Sequence, residues 1–195
     1  MRAPAGVFVF CFLAGAAQAQ NPADPITGEG RVKWAVLNTV GPISLAGGVV
    51  SSAWGTLFDV PREYDTHWDG FGKRYGMRLT GVATSNAMEA GLGTLWGEDP
   101  RYHRTQGEPF GARVRNVVKM TFLARNDYGE IVPAYARYAG IAGSSFLSNT
   151  WRPNSQADAG HAVARIGLGF LGRMSGNAFR EFWPDVRERV FHAGR

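Results

Sequence analysis

Small residues at helical spacing are the feature of this sequence that most constrains its fold. Glycine is abundant, with 26 residues, and many of these glycines fall inside segments whose other residues favour helix. Each glycine in a helix interior costs up to ~1 kcal/mol relative to alanine, so we expect close backbone packing to offset that cost. In the longest predicted helix the small positions, at steps of three and four, are Gly72, Gly76, Thr80, Ala83, Ala87, Ala90 and Thr94.

Three further segments repeat this spacing and are separated by proline and capping residues. Their small positions are Ser44, Gly48, Ser51 and Gly55; Ala136, Gly140 and Gly143; and Gly169, Gly172 and Gly176. Residues at these steps share one helix face, which allows a neighbouring backbone to approach closely. The sequence therefore predicts an all-α fold, a single domain of about four to six helices packed through Gly/Ala/Ser faces.

Proline and cap signals set the predicted helix boundaries. One helix starts near Pro42, the longest runs from about Arg62 to Trp96, and another runs from Pro133 to about Trp151. Ser155 and Asp158 fit a capping box for the last helix, which Pro184 is expected to kink or restart.

One segment is ambiguous between helix and strand. Residues 114–124 are rich in β-branched side chains, which favour a strand. Asn126-Asp127-Tyr128-Gly129 has the composition of a turn. A short β-hairpin near 114–132 is therefore an option within the helical fold.

The first nineteen residues have the order of features of a secretory signal peptide. Met1-Arg2 is a basic start, Val7 to Ala14 is an apolar run too short to span a bilayer, and Ala17-Gln18-Ala19 fits a cleavage site. We therefore predict a signal peptide at 1–19, a flexible leader at 20–31 and a helical domain at 32–195. The predicted location is exported, in the periplasm or the outer envelope.

Composition excludes several classes of site. Cys11, the one cysteine, lies in the predicted signal peptide, so the exported chain has neither a disulfide nor a cysteine-ligated metal. The formal net charge is +5, but acidic residues are interspersed with the basic ones and no Lys/Arg run forms a nucleic-acid tract. We expect no nucleic-acid partner.

Three short motifs resemble those of a family of uncharacterised exported bacterial proteins. They are EDPRY at Glu98–Tyr102, SNxWxP at Ser148–Pro153, and EFWPD at Glu181–Asp185. The resemblance covers the chain from about Gly70 to Asp185. It implies export and a helical fold, and it implies no activity.

Asp65, His67 and Asp69 are the most metal-like group in the sequence. Two carboxylates and an imidazole are suitable ligands, but alternation by two suits a strand, and alternate residues diverge at a helix start. The competing interpretation is a polar helix entrance whose aspartates favour the helix dipole. We expect no metal.

Two further candidates involve carboxylates. Glu98, Asp99 and His103 fall in a charged turn that suits either an acid–base pair or carboxylate–guanidinium pairs that cap helix ends. Glu89 stands alone in an uncharged stretch, so it needs a partner such as Arg74, Arg78 or an arginine from a neighbouring helix. No nucleophile elbow, P-loop, dinucleotide fingerprint or HExxH motif occurs, and no cofactor is expected.

These patterns favour a non-enzymatic exported envelope protein. The uncharged stretch from Ala35 to Phe58 is long enough to cross a bilayer of ~30 Å, although Pro42 and polar residues dilute it. We predict association with membrane or envelope components, or self-association, through small-residue helix faces. One alternative is a soluble periplasmic helical protein that binds an apolar ligand. A further alternative is a hydrolase that uses Asp65/His67/Asp69 or the Glu98–His103 turn.

Overall fold

Six α-helices and a small antiparallel sheet make up the part of the chain that the computed structural model describes, residues 24–192. The predicted signal peptide at 1–19 lies outside these residues. The all-α fold class is confirmed. The helices are α1 (Gly28–Val40), α2 (Pro42–Leu57), α3 (Trp68–Trp96), α4 (Phe110–Phe122), α5 (Tyr135–Leu147) and α6 (Ala159–His192).

The long helix α3 is the element against which most of the others pack. The α1–α2 segment runs antiparallel along it, so that Thr39 meets Asn86, Ser44 meets Arg78 and Thr56 meets Arg74. Helix α5 packs on α3 as well, and α6 packs on α4 and α5. The helical segments on either side of α3 therefore enclose the polar groups that it carries.

A further helix, α1, precedes the first helix that the sequence predicts, which starts at Pro42 as expected. The Thr27 side chain accepts the Gly30 N–H at 3.1 Å and caps a helix that begins at Gly28. The sequence predicts a flexible leader at 20–31, but residues 28–31 belong to α1. Arg31 is buried and donates from Nη1 to the Glu98 carbonyl oxygen at 2.6 Å, which holds α1 against the end of α3.

The ambiguous segment contains both structures. Helix α4 occupies it as far as Phe122, and strand β2 (Leu123–Asn126) follows at once. Strand β2 pairs antiparallel with β3 (Ile131–Pro133) and with the short β1 (Glu98–Asp99). The predicted turn is confirmed: Asn126 Oδ1 accepts the N–H groups of Tyr128 and Glu130, and Gly129 takes a φ of 83°.

Other helix ends differ from the prediction by a few residues. Helix α3 starts at Trp68 rather than near Arg62, because Asp65 has a φ of 62° that interrupts the helix. Asp158, and not Ser155, caps α6, since its carboxylate accepts the His161 N–H at 3.0 Å. Helix α6 then continues through Pro184 without restarting.

The predicted close approach at small residues is found at some glycines and not at others. A Cβ on Gly140 would lie 2.8 Å from the Ser85 carbonyl oxygen, and one on Gly48 would lie 2.7 Å from the Tyr75 ring. By contrast, nothing lies within 4 Å of such an atom on Gly76 or Gly172. The prediction is therefore wrong for these two positions.

In α3 the N-terminal part of the small-residue stripe faces outward instead, whereas Ala90 near its other end is buried. Gly72, Gly76 and Thr80 are exposed, whereas Arg74 and Glu89, on the side with the larger residues, are buried. Charged side chains that are buried away from water need partners. The partners of Arg74 and Glu89 lie within the bundle.

The same substitution at a packed and an open glycine tests this geometry. We expect Gly140→Ala to lower the free energy of unfolding by about 1–3 kcal/mol, because a backbone oxygen occupies the space that the methyl group needs. The matched change Gly76→Ala should leave stability unchanged or raise it by ~0.5–1 kcal/mol, since alanine is the better residue in an open helix. Thermal unfolding followed by circular dichroism measures both. Equal melting temperatures for the two variants would contradict the assigned contact.

Candidate functional site

The interior of the helical domain is polar. The largest fully buried side chains in the described part of the chain are Arg137, Glu181, Asn177, Thr121 and Ser148. The Asn177 amide donates to Thr121 Oγ1 at 3.2 Å, which links α6 to α4. Apolar residues of comparable size are largely on the outside, so hydrogen bonds and ion pairs define the centre of the domain.

Glu89 lies at the middle of this interior, between two arginines. Arg137 of α5 donates from Nε to Glu89 Oε1 at 2.9 Å, and Arg173 of α6 donates to Oε2. The predicted need for an arginine partner is met by two neighbouring helices rather than by Arg74 or Arg78.

Arg137 also extends this network beyond Glu89. Its Nη1 donates to the carbonyl oxygens of Met120, Thr121 and Leu123, at 2.7, 3.1 and 3.1 Å. The carbonyl groups of Met120 and Thr121 are in the last turn of α4, which leaves them without helical partners, and that of Leu123 belongs to the first residue of β2. Both Glu89 oxygens and the Arg137 guanidinium are thus committed to joining helices, an arrangement typical of a structural ion-pair network.

The charged turn after α3 is folded inward. Glu98 Oε2 accepts the Ala136 N–H at 3.0 Å, and burial raises the pKa of this carboxyl. Asp99 Oδ2 accepts two hydrogen bonds from Arg101, one from Nε at 2.9 Å and one from Nη2 at 2.7 Å. His103 Nε2 lies 3.7 Å from the same oxygen. The turn therefore contains the carboxylate–guanidinium pairing that was one of its two predicted interpretations.

Residues of two of the sequence motifs meet in one cluster. Glu181 has no exposed surface; it accepts Tyr102 Oη at 2.7 Å, Arg113 Nε at 2.9 Å and the Thr105 N–H at 3.2 Å. Asp185, one helical turn on, pairs with both Arg104 and Arg113. The Arg113 hydrogen bond lowers the pKa of Asp185, while burial and the bond to Glu181 raise that of Tyr102.

We call Tyr102, Arg104, Arg113, Glu181 and Asp185 the Glu181 cluster. It joins the EDPRY and EFWPD motifs across 79 residues of sequence. Sequence reasoning named neither Glu181 nor Arg113 as a candidate. The signal for Glu181 was present in the motif itself, as a carboxylate that directly precedes the aromatic pair Phe182-Trp183.

Asp65, His67 and Asp69 are exposed and do not converge. The Asp65 carboxylate accepts the N–H of Thr66 at 2.6 Å, and Asp69 pairs with Lys73 Nζ at 2.5 Å. His67 precedes the first residue of α3. Within residues 24–192, no group of three or more His, Cys, Asp or Glu side chains could hold a metal ion.

A cavity of about 1860 Å³ opens between the α1–α3 layer and helices α5 and α6. Its wall is strongly basic, with Glu29 as the one carboxylate residue among the described lining positions. The basic lining residues are Lys33, Arg74, Arg78, Arg101, Arg152, Arg165, Arg173 and Arg180. Sequence reasoning missed this wall, although Arg165, Arg173 and Arg180 recur at the spacing of one helix face.

No protein-family model, curated protein or solved structure matches this chain.

Removing the charge of Glu89 tests the central network. We expect Glu89→Gln to lower the free energy of unfolding by about 3–5 kcal/mol, because two buried guanidinium groups lose their counter-charge. Glu188→Gln, the same change at an exposed residue of α6, should have little effect. Yield and melting temperature report the difference. A Glu89→Gln protein that melts with the parent would rule out the assigned role.

Acid should loosen the Glu181 cluster. The pKa of Asp185 is lowered in the folded protein from its ordinary value of 3.8. Its pairing therefore stabilises the fold fully at pH values above 3.8, and this stabilisation is lost as the pH falls through the lowered pKa. We expect Asp185→Asn to flatten the fall in melting temperature in that acidic range. Glu188→Gln serves again as the control and should keep the parent profile. Parallel profiles for parent and Asp185→Asn would show that the pairing adds no stability.

Proposed function

We propose that this protein is a non-enzymatic, exported envelope protein whose helical exterior is embedded in a membrane. One observation carries the proposal: every exposed residue in 36–58, 76–96 and 163–183 is uncharged. Each stretch is about twenty residues or longer, which is the length that a helix needs to cross the hydrocarbon core of a bilayer. The arginines in these stretches are buried or half-buried and line the cavity.

The residues on this exterior are large as well as uncharged. Trp54 is 65% exposed, Val50 69% and Leu171 57%. Soluble monomers rarely expose contiguous apolar patches of more than a few hundred Å². Together with a buried set of arginine, glutamate and asparagine, this reverses the distribution expected in water.

The α1–α2 segment supports the same conclusion. Gly28–Leu57 is the one helical segment of the described chain that is long and apolar enough to cross a membrane, with a mean hydropathy of 1.3. Only 17% of its apolar window is buried. A core helix of a soluble protein would be mostly buried, so burial inside this chain does not account for the apolar character.

Lipid fits this exterior better than a second copy of the chain. Exposed apolar side chains occur on all six α-helices of the described residues, including Val50 on α2, Phe146 on α5 and Leu171 on α6. A second copy would cover one face and leave the others in water. Lipid acts as a solvent on all sides.

We propose no catalytic role because the candidate carboxylates are engaged in structural hydrogen bonds or lie apart from one another. Glu89 and Glu98 accept hydrogen bonds that join separate segments, and Asp99 accepts the Arg101 guanidinium within its own turn. Asp65, His67 and Asp69 remain apart. Export rests on the predicted signal peptide. The partners that we propose are membrane lipids.

Membrane fractionation of matched variants tests the embedding. The parent should resist alkaline carbonate and be released by detergent. Leu171→Lys should reduce its retention, because a lysine that faces lipid costs about 2.5–3.5 kcal/mol near the middle of a bilayer. Tyr128→Lys, at a hairpin residue that is 90% exposed, should behave like the parent.

Two outcomes would overturn the proposal. Release of the parent by carbonate alone excludes an embedded protein, and an oligomer in that soluble fraction would assign the apolar exterior to self-association. Equal retention of Leu171→Lys and Tyr128→Lys would show that Leu171 does not face lipid.

A further inference from the structure

We propose that the cavity binds an amphipathic anion, with a phosphate or carboxylate head group held near Arg78 and Arg180 and an acyl chain along the apolar wall. This inference rests on the cavity residues and does not depend on the lipid-facing exterior.

The first observation is a set of arginines without counter-charge. Three arginines on the cavity wall have a carboxylate partner: Arg74 pairs with Asp59, Arg101 with Asp99 and Arg173 with Glu89. Four other arginines of the wall form no ion pair with a carboxylate of the described residues: Arg78, Arg152, Arg165 and Arg180. Guanidinium groups that are partly withdrawn from water gain most from an anion that brings several hydrogen-bond acceptors.

The second observation locates the head group. Arg78 reaches from α3 to the Ser44 carbonyl oxygen at 3.1 Å, and Arg180 reaches from α6 to Asn38 Oδ1. Asn38 and Ser44 lie on either side of the corner where α1 ends and α2 begins. Two cations from different helices thus flank this corner of the cavity, and both contact neutral oxygens only. We call Arg78 and Arg180 the corner site.

The third observation concerns the remainder of the wall. The cavity volume of about 1860 Å³ exceeds the ~300–1,000 Å³ of ordinary small-molecule pockets, so it accommodates a long ligand. Apolar side chains from the helices on both sides line it: Trp34, Leu37, Met77, Val82, Leu168 and Phe179. A hydrocarbon chain matches this lining.

Two buried polar atoms favour a ligand with a polar head over a wholly apolar one. Ser52 Oγ and Arg165 Nε belong to residues of the wall, and neither has a hydrogen-bond partner within the described chain. An uncharged hydrocarbon would leave these two atoms without partners and the four arginines without a counter-charge, whereas a charged head group supplies hydrogen-bond acceptors and a counter-charge to the arginines that it contacts.

Binding to the full-length protein in a neutral detergent, after lipid removal, tests the proposal. The probes are oleate, 1-oleoyl-lysophosphatidate, oleyl alcohol and inorganic phosphate, with binding titrated and counted by native mass spectrometry. We expect discrete binding of at least one of the two anionic lipids and, for oleyl alcohol, a Kd at least about ten-fold higher. Tighter binding of oleate would assign a carboxylate head. Tighter binding of lysophosphatidate, or competition by inorganic phosphate, would assign a phosphate head.

Charge-matched variants identify the residues. Arg78→Gln with Arg180→Gln should raise the Kd by about ten-fold for each arginine removed, the loss expected for a hydrogen bond to a charged group. Arg115→Gln with Arg187→Gln removes the same charge from two exposed residues outside the cavity and should not change the Kd. If Arg78→Gln with Arg180→Gln fails to fold, two other measurements replace it. They are the Kd of Arg78→Lys with Arg180→Lys and the salt dependence of binding to the parent protein, and each should show an electrostatic contribution to binding.

Several results would overturn the proposal. They are equal affinity for oleate and oleyl alcohol, no binding of either anionic lipid, an unchanged Kd in the corner-site variant, or binding that does not depend on salt. A protein that carbonate releases but that still binds oleate would refute the membrane proposal alone. A protein retained in membranes that binds neither anionic lipid would refute this inference alone.

Discussion

The rest of the structure depends on the pairing of Glu89 with Arg137 and Arg173. These three side chains come from α3, α5 and α6, so one carboxylate fixes the relative positions of three helices. Arg137 then holds the last carbonyl groups of α4, and the α1–α2 segment packs along the length of α3. Few apolar side chains are buried with them, and the geometry of these charges therefore defines the fold more than side-chain volume does.

Local sequence signals predict this fold well at helix ends and turns, where interactions between neighbouring residues determine the structure. Pro42 begins α2, Gly97 ends α3 with a φ of 65°, and the 126–129 turn holds the hairpin, each for a reason that involves only neighbouring residues. The requirement for an arginine partner of Glu89 was also predictable. Its identity was not, because Arg137 and Arg173 lie 48 and 84 residues away.

The sequence pattern could not show which side of a helix faces inward. Spacing places Gly72, Gly76 and Thr80 on one face, and in water such a face is expected to pack inside. In this protein the charged side is buried instead, because Glu89 and Arg74 find partners in other segments. For the same reason the sequence did not predict the Glu181 cluster or the cavity, because both form only when α6 lies against the earlier helices.

The separation of these charges in sequence has a consequence for how the protein is made. Before assembly, residues 76–96 of α3 carry Arg78 and an unpaired Glu89, and residues 163–183 of α6 carry three arginines and Glu181. Each arginine costs about 2.5–3.5 kcal/mol at the centre of a membrane helix. In the membrane environment that we propose, neither helix is suited to partition into lipid alone, and α3 is synthesised well before its partner in α6. The proposed embedding therefore requires a concerted insertion, in which the helices neutralise one another before they enter the bilayer as a preassembled group.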